Sequence, residues 1–251
     1  MKNLLNLTIS FILVTICINN SYAQKIMKLE NELTSNSSPL EAKRKGFSSI
    51  GKYQFGPYRI VSGKTGWTTT KSGTKLFSTE TKSESKKKSS FVFVANDKDS
   101  VLVSTSTNTK SSESDLGDFS ILNHSTDNYL AILSARNDTS VWKMIIVAEK
   151  GAFVENNFSA EGLLTHGKTR IQIKEVREWN DGKVPFLKLI IGYEFFLEKH
   201  SIAAVQSSPD TFQKKFVWLH KDLDENTKSA IAAAAASIMV YTEESMSGLD
   251  H

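Results

Sequence analysis

Residues Ala230 to Tyr241 read Ala-Ile-Ala-Ala-Ala-Ala-Ala-Ser-Ile-Met-Val-Tyr, with Ser237 as the only small polar interruption. Such a stretch is a helix former without a polar face, and a helix that is apolar all round has to be enclosed. At 1.5 Å per residue it is about 18 Å long, too short for the ~30 Å hydrocarbon core of a bilayer. Protein must therefore surround it. Its alanines make a thin rod around which strands can close. Asp222 or Asp224 can cap its start, and Glu225 suits the first turn. The helix is expected over about 225–241, followed by a polar tail, 243–251.

A second apolar segment, Leu4 to Ile18, has a different meaning. Lys2 precedes it, and Ser21-Tyr22-Ala23 comes after it with small residues where a signal peptidase needs them. Residues 1–23 are expected to be a secretory signal cleaved after Ala23. The run is too short and interrupted for a membrane span. Cleavage takes 23 of 251 residues and leaves 228, enough for one large domain with a real core. Cys17, the only cysteine, leaves with the signal, so the mature chain has no thiol chemistry and no cysteine metal ligand. A cysteine-free mature chain suits bacterial export to the periplasm or beyond the cell better than a disulfide-stapled module. Of the net charge of +4, Lys2 carries one, leaving +3, too little to argue for nucleic acid.

Residues 24–50 read as a polar lead-in linker, broken at Asn36-Ser37-Ser38-Pro39, with at most a short helix near Leu40 to Lys45. From Tyr53 onward, short β-prone runs alternate with Asn, Asp, Gly and Ser. Asn96-Asp97, Asn137-Asp138 and Asn180-Asp181-Gly182 are turn signals. Tyr53 to Val61, Phe91 to Val94, Val101 to Val103, Tyr129 to Leu133, Val141 to Val147, Thr169 to Trp179, Phe186 to Leu197, Ile202 to Val205 and Phe216 to Leu219 are the main candidate strands. Residues 104–126, rich in Ser, Thr, Asn and Asp, read as an exposed loop. Ile171 and Ile173 alternate with Arg170, Gln172 and Lys174, the pattern of an antiparallel sheet with one wet face. No βαβ rhythm is present. The fold class is mostly β. One domain over 51–242 is expected, an antiparallel barrel of about 10–12 strands around or beside the Ala-rich helix.

The ending carries a resemblance. Tyr193-Glu194-Phe195-Phe196-Leu197, a turn at Glu198-Lys199-His200, Ile202-Ala203-Ala204-Val205-Gln206, Phe216-Val217-Trp218-Leu219 and then the apolar helix resemble the end of the tubby-like superfamily. That group includes the tubby C-terminal domain, the phospholipid scramblases and the LURP-one-related proteins. The resemblance implies a many-stranded barrel enclosing a hydrophobic C-terminal helix, and a lipid or membrane surface as partner. No phosphoinositide-binding residue of tubby matches a position here, so no lipid site is carried over. A lipocalin-like barrel is the competing plan, but its Gly-x-Trp spacing fails at Gly66-Trp67. Trp67 is expected to be a core aromatic.

Chemistry is hard to find. Gly63-Lys64-Thr65 lacks the earlier glycine of a P-loop, because position 58 is Tyr. His124, His166, His200, His220 and His251 have no zinc-motif spacing, and no G-x-S-x-G is present. Glu175, Glu178 and Glu194 are expected on the solvated faces of strands. Asp97 and Asp99 fall short of a calcium loop, and Asp99-Ser100-Val101 resembles a short bacterial O-glycosylation site. The basic run Lys82, Lys86, Lys87 and Lys88 is the candidate surface contact, to anionic lipid or polysaccharide. No cofactor or catalytic residue is expected. The sequence thus points to an exported, non-enzymatic envelope module. A lipocalin-like carrier of an apolar ligand is the alternative, and a hydrolase without a recognisable motif comes third.

Overall fold

The computed structural model describes residues 24–46, 50–74, 80–97, 99–115, 120–135, 140–151, 159–185, 189–208 and 213–247. The expected signal peptide 1–23, the Asn137-Asp138 turn, the start of the 186–197 run and His251 lie outside the described residues. The protein is mostly β, with 60% strand, and forms a closed 12-strand antiparallel barrel with a C-terminal helix.

The barrel closes in a simple order. Strands β1 (Leu40–Lys45), β2 (Lys52–Phe55), β3 (Tyr58–Thr65), β4 (Thr69–Thr74) and β5 (Glu80–Ala95) come first. Next are β6 (Asp99–Asp115), β7 (Ser120–Ala135), β8 (Trp142–Gly151) and β9 (Ser159–His166). The last are β10 (Thr169–Val176), β11 (Gly192–Leu197), β12 (His200–Gln206) and β13 (Lys215–Leu219). Neighbours in sequence pair from β5 to β13, β13 pairs with β1, and the ring shuts where β3 meets β5. Only part of β5 is needed for closure. Its Ser89–Ala95 half faces β3, while Thr81–Lys86 faces β4, so β3 and β4 lie end to end along one edge. In the β5–β6 connection Asn96 and Asp97 are both at positive φ, a conformation that Asn and Asp tolerate better than most residues.

Strand alternation explains which residues make the core. In β5, Phe91, Phe93 and Ala95 are buried, and their inward neighbours are Val103 and Val101 of β6 and Leu133, Ala131 and Tyr129 of β7. Helix α2 (Glu225–Ser247) fills the space they surround. Every residue from Ala230 to Tyr241 is buried, in one cluster with the inward strand residues. The Asp224 carboxylate accepts a hydrogen bond from the Thr227 amide at 3.0 Å and so caps the helix. The Tyr129 hydroxyl donates to the Ser237 carbonyl at 2.9 Å, and its ring stacks on Tyr241 at 4.5 Å. The alternative in which the helix lies beside the barrel is corrected by this placement. The helix also runs on to Ser247, through the first part of the expected tail.

Several expectations are corrected. Leu40–Lys45 is strand, not helix, because it fills the gap between β2 and β13 in the ring. Residues 24–36 are not a free linker. A short helix α1 (Asn31–Asn36) and the segment before it strap the outside of the barrel. There Met27 and Leu33 pack with Trp179, Ile191, Ala204, Phe216 and Trp218 in a second small core. Residues 104–126 are not a loop, since the described ones belong to β6 and β7, which run 17 and 16 residues. Tyr53 to Val61 is two strands, turned at Gly56 with φ 53°. Within the described part of that run, 189–197, strand begins at Gly192, where any β-carbon would collide with the Val205 carbonyl and the Met27 sulfur of the strap. Trp67 is no core aromatic, being 95% exposed at the break between β3 and β4.

Candidate functional site

Three places gather charged or polar groups. The first is the mouth of the barrel where α2 ends. Glu243 accepts a hydrogen bond from the Tyr53 hydroxyl at 3.0 Å and pairs with the Arg44 guanidinium at 2.7 Å. Glu244 accepts from Ser89 at 3.0 Å and from Thr65 at 3.3 Å, and it pairs with Lys87 at 3.4 Å. Two carboxylates at a helix C-terminus oppose the helix dipole, and these cations and hydroxyls from the wall offset that. Burial pushes the Tyr53 hydroxyl far above its ordinary value, and burial does the same at Tyr129, Tyr193 and Tyr241. Burial also lowers the Lys215 ammonium, against the nearby Glu243. This cluster ties the helix to the wall. A β-carbon at Gly51 would crowd the Glu243 carboxylate and the Tyr53 ring and so displace this tie.

The second is a cleft of about 340 Å³ beside the strap, lined in part by Glu30, Glu175, Arg177, Glu178 and Glu194. Glu194, expected on a wet face, is buried instead. The strap covers it, and its carboxylate accepts hydrogen bonds from the Ser201 hydroxyl and the Glu30 amide. Burial raises its pKa, an effect the two hydrogen bonds oppose. Glu175 is held by Arg177 through two hydrogen bonds, 2.6 and 2.9 Å. Lys28 meets Glu178 at 2.8 Å. The Lys28–Glu178 pair and the Glu30–Glu194 hydrogen bond fasten the strap to the barrel.

The third holds the sequence-derived lysines. Beyond the end of α2, strands β5, β6 and β7 continue past the ring, and β4 joins β5 there. They form a projecting blade whose two faces are both polar. Alternation separates the lysines. Lys82, Lys86 and Lys88 share the outer face with Val92 and Val94, while Lys87 shares the inner face with Phe91 and reaches Glu244. Lys87 is therefore a structural tether, and the other three remain together. The register adds residues the sequence run did not include. Lys71 of β4 and Lys110 of β6 stand opposite Glu84 on its two sides, and Lys64 stands opposite Ser90. Glu84 is hydrogen-bonded to Lys86, and that bond chiefly holds its carboxyl below the ordinary value. Lys110 falls in the 104–126 stretch read as loop, and only the strand register brings it and Lys71 to Glu84.

The histidines remain apart. His124 bonds Thr126, His200 meets Glu32 at 2.9 Å, and His220 accepts from the Asp222 amide. His166 stacks on Trp142 at 4.7 Å, with its Nε2 2.5 Å from the Ser140 hydroxyl. Among the described residues no group of three His, Cys, Asp or Glu side chains is placed to hold a metal ion. No described helix is long and apolar enough to cross a membrane. No protein-family model matches the chain, and no curated protein or solved structure is significantly similar to it.

Proposed function

We propose that the chain is an exported, non-enzymatic binding or structural module of a bacterial cell envelope, acting through its outer surface. The observation that carries this reading is the place of α2. An open-barrel carrier needs its lumen for a ligand, and here Ala230–Tyr241 occupies that space. Export rests on the sequence of residues 1–23, with the mature chain beginning at Gln24. The tubby-like resemblance contributes a plan, a barrel around a hydrophobic helix, and no ligand site.

Organic extraction of the purified protein followed by mass spectrometry tests the reading. No stoichiometric apolar molecule is expected. One reproducible lipid per chain would establish the carrier instead. Fractionation of the producing cells should find the protein outside the cytoplasm with Gln24 at its N-terminus. A hydrolase is a second reading, favoured by one contact: the Ser140 hydroxyl against His166, whose ring the Trp142 stack orients. A fluorophosphonate probe that labels Ser140 would promote it above the binding module.

A further inference from the structure

The strand register gathers an excess of cations on the outer face of the blade. Lys64, Lys71, Lys82, Lys86, Lys88 and Lys110 share it, against Glu80 and Glu84. Lys82 and Lys86 lie near these two carboxylates at 3.8 and 3.2 Å, and both stay well exposed. Lys64, Lys71, Lys88 and Lys110 form no ion pair within 4.0 Å among the described residues. From Lys82 to Lys88 the row is about 20 Å long at ~3.3 Å per residue, and β4 and β6 widen it to about 10 Å. It is a straight track of cations, not a ring around one point.

Ser90, Ser106, Asn108 and Ser112 alternate with the lysines on β5 and β6. At the edge of the track, the Gly66 amide donates to the Lys88 carbonyl and sets Trp67 beside it, almost wholly in solvent. An exposed indole offers a flat apolar face with an N–H donor at its edge.

We propose that this face binds a linear anionic polysaccharide, one whose sugar rings carry carboxylate or sulfate groups. The lysines take the charges, the serine hydroxyls between them take the sugar hydroxyls, and Trp67 stacks on a ring. The occupant is a polymer and not a membrane because, from Lys82 to Lys88, the outward residues of β5 and their partners on β4 and β6 are all polar or glycine, and the exposed Leu102 comes only beyond Ser90, opposite Val92. The exposed Leu130 and Ile145 lie on β7 and β8, beyond the polar row of β6. The proposal rests on the reading that the protein acts through its outer surface, and it names the ligand of that surface.

The test titrates the mature chain with polygalacturonate and with dextran sulfate, following the heat of binding by isothermal titration calorimetry. Neutral dextran and phosphatidylglycerol vesicles are run beside them. Both anionic polymers should bind, with affinity falling as salt is added. The variant K71Q/K86Q/K88Q/K110Q should lose more than about tenfold in affinity and flatten the salt dependence. Trp67→Ala should weaken binding and leave the salt dependence unchanged. Circular dichroism and melting of both variants should match the parent. Polymer binding untouched by the lysine changes would overturn the proposal. So would equal binding of neutral dextran, binding of the vesicles alone, or no binding to any probe. None of these outcomes bears on the lumen, so the filled barrel would stand or fall separately on the extraction result.

Discussion

Strand β6 passes through two environments in 17 residues. At one end its inward side chains, Val101 and Val103, are buried against α2 and the neighbouring strands. Toward the other end the same face carries Thr107, Thr109 and Ser111; Thr107 stands opposite Tyr129, which still reaches α2, and the polar residues continue from there. Strand β5 makes the same change, from Phe93 and Phe91 to Ser85 and Ser83. Backbone pairing continues unbroken across the boundary, while side-chain chemistry switches. A β-strand therefore does not need a hydrophobic face to exist, provided neighbours pair both its edges. It needs one only where something apolar must be enclosed. The helix divides the molecule into a half held by packing and a half held by the ladder.

The largest contrast comes from matched truncations on one face. Phe93→Ala, in the filled half, should cost about 3–5 kcal/mol in chemical denaturation, because it opens a cavity against fully buried neighbours. Ser85→Ala, on the same face of the same strand in the blade, should stay within about 0.5 kcal/mol. Similar losses at the two sites would show that the division is not energetic.

The strap sharpens the comparison with a third kind of support, one buried carboxyl. Glu194→Ala strands the Glu30 amide and should cost about 1–3 kcal/mol. Glu194→Gln keeps an acceptor and removes a buried charge. The folded-state pKa of Glu194 lies above its unfolded value, so the folded state binds the proton more tightly. Its contribution is present at acid pH and is lost as pH rises from the ordinary carboxylate range through the raised folded value. Denaturation midpoints of the parent should decline across that window relative to Glu194→Gln. Parallel pH profiles would remove Glu194 from the account.

A smaller effect is expected at Tyr129→Phe, which deletes the hydrogen bond to the Ser237 carbonyl and keeps the ring stacked on Tyr241. About 0.5–1.5 kcal/mol is the expected loss by thermal or chemical unfolding. Amide hydrogen exchange gives the finest view. Val101 and Val103 should exchange far more slowly than Thr109 and Ser111 along the same strand. Uniform protection along β6 would contradict the division.

The same physics decides how much of the molecule is legible in its sequence. The helix and the barrel are legible because an all-apolar segment needs enclosure and because Ile171 and Ile173 alternate with polar residues. The blade is not legible, since its strands carry no apolar alternation and a Ser/Thr-rich strand resembles a loop. The strap is half legible. Ile202 to Val205 is apolar on both faces, and Phe216 and Trp218 point away from the lumen. Such strands demand an outer cover, and Met27 and Leu33 are spaced to provide it. Glu194 reads as solvated because its cover lies more than 150 residues away in sequence, at Glu30. Trp67 reads as core because aromatic residues are more often buried. Lys87 reads as one of a group with its neighbours because a charge run hides the alternation that turns it inward.

The most direct test of the account is removal of the helix. A mature chain ending at Asp224 keeps all thirteen strands and loses only the enclosed rod and the C-terminal tail. It should be insoluble or lack cooperative unfolding, because the inward aromatics would face an empty lumen. A soluble, monomeric product with a sharp thermal transition would contradict the account, since the barrel would then stand without its core.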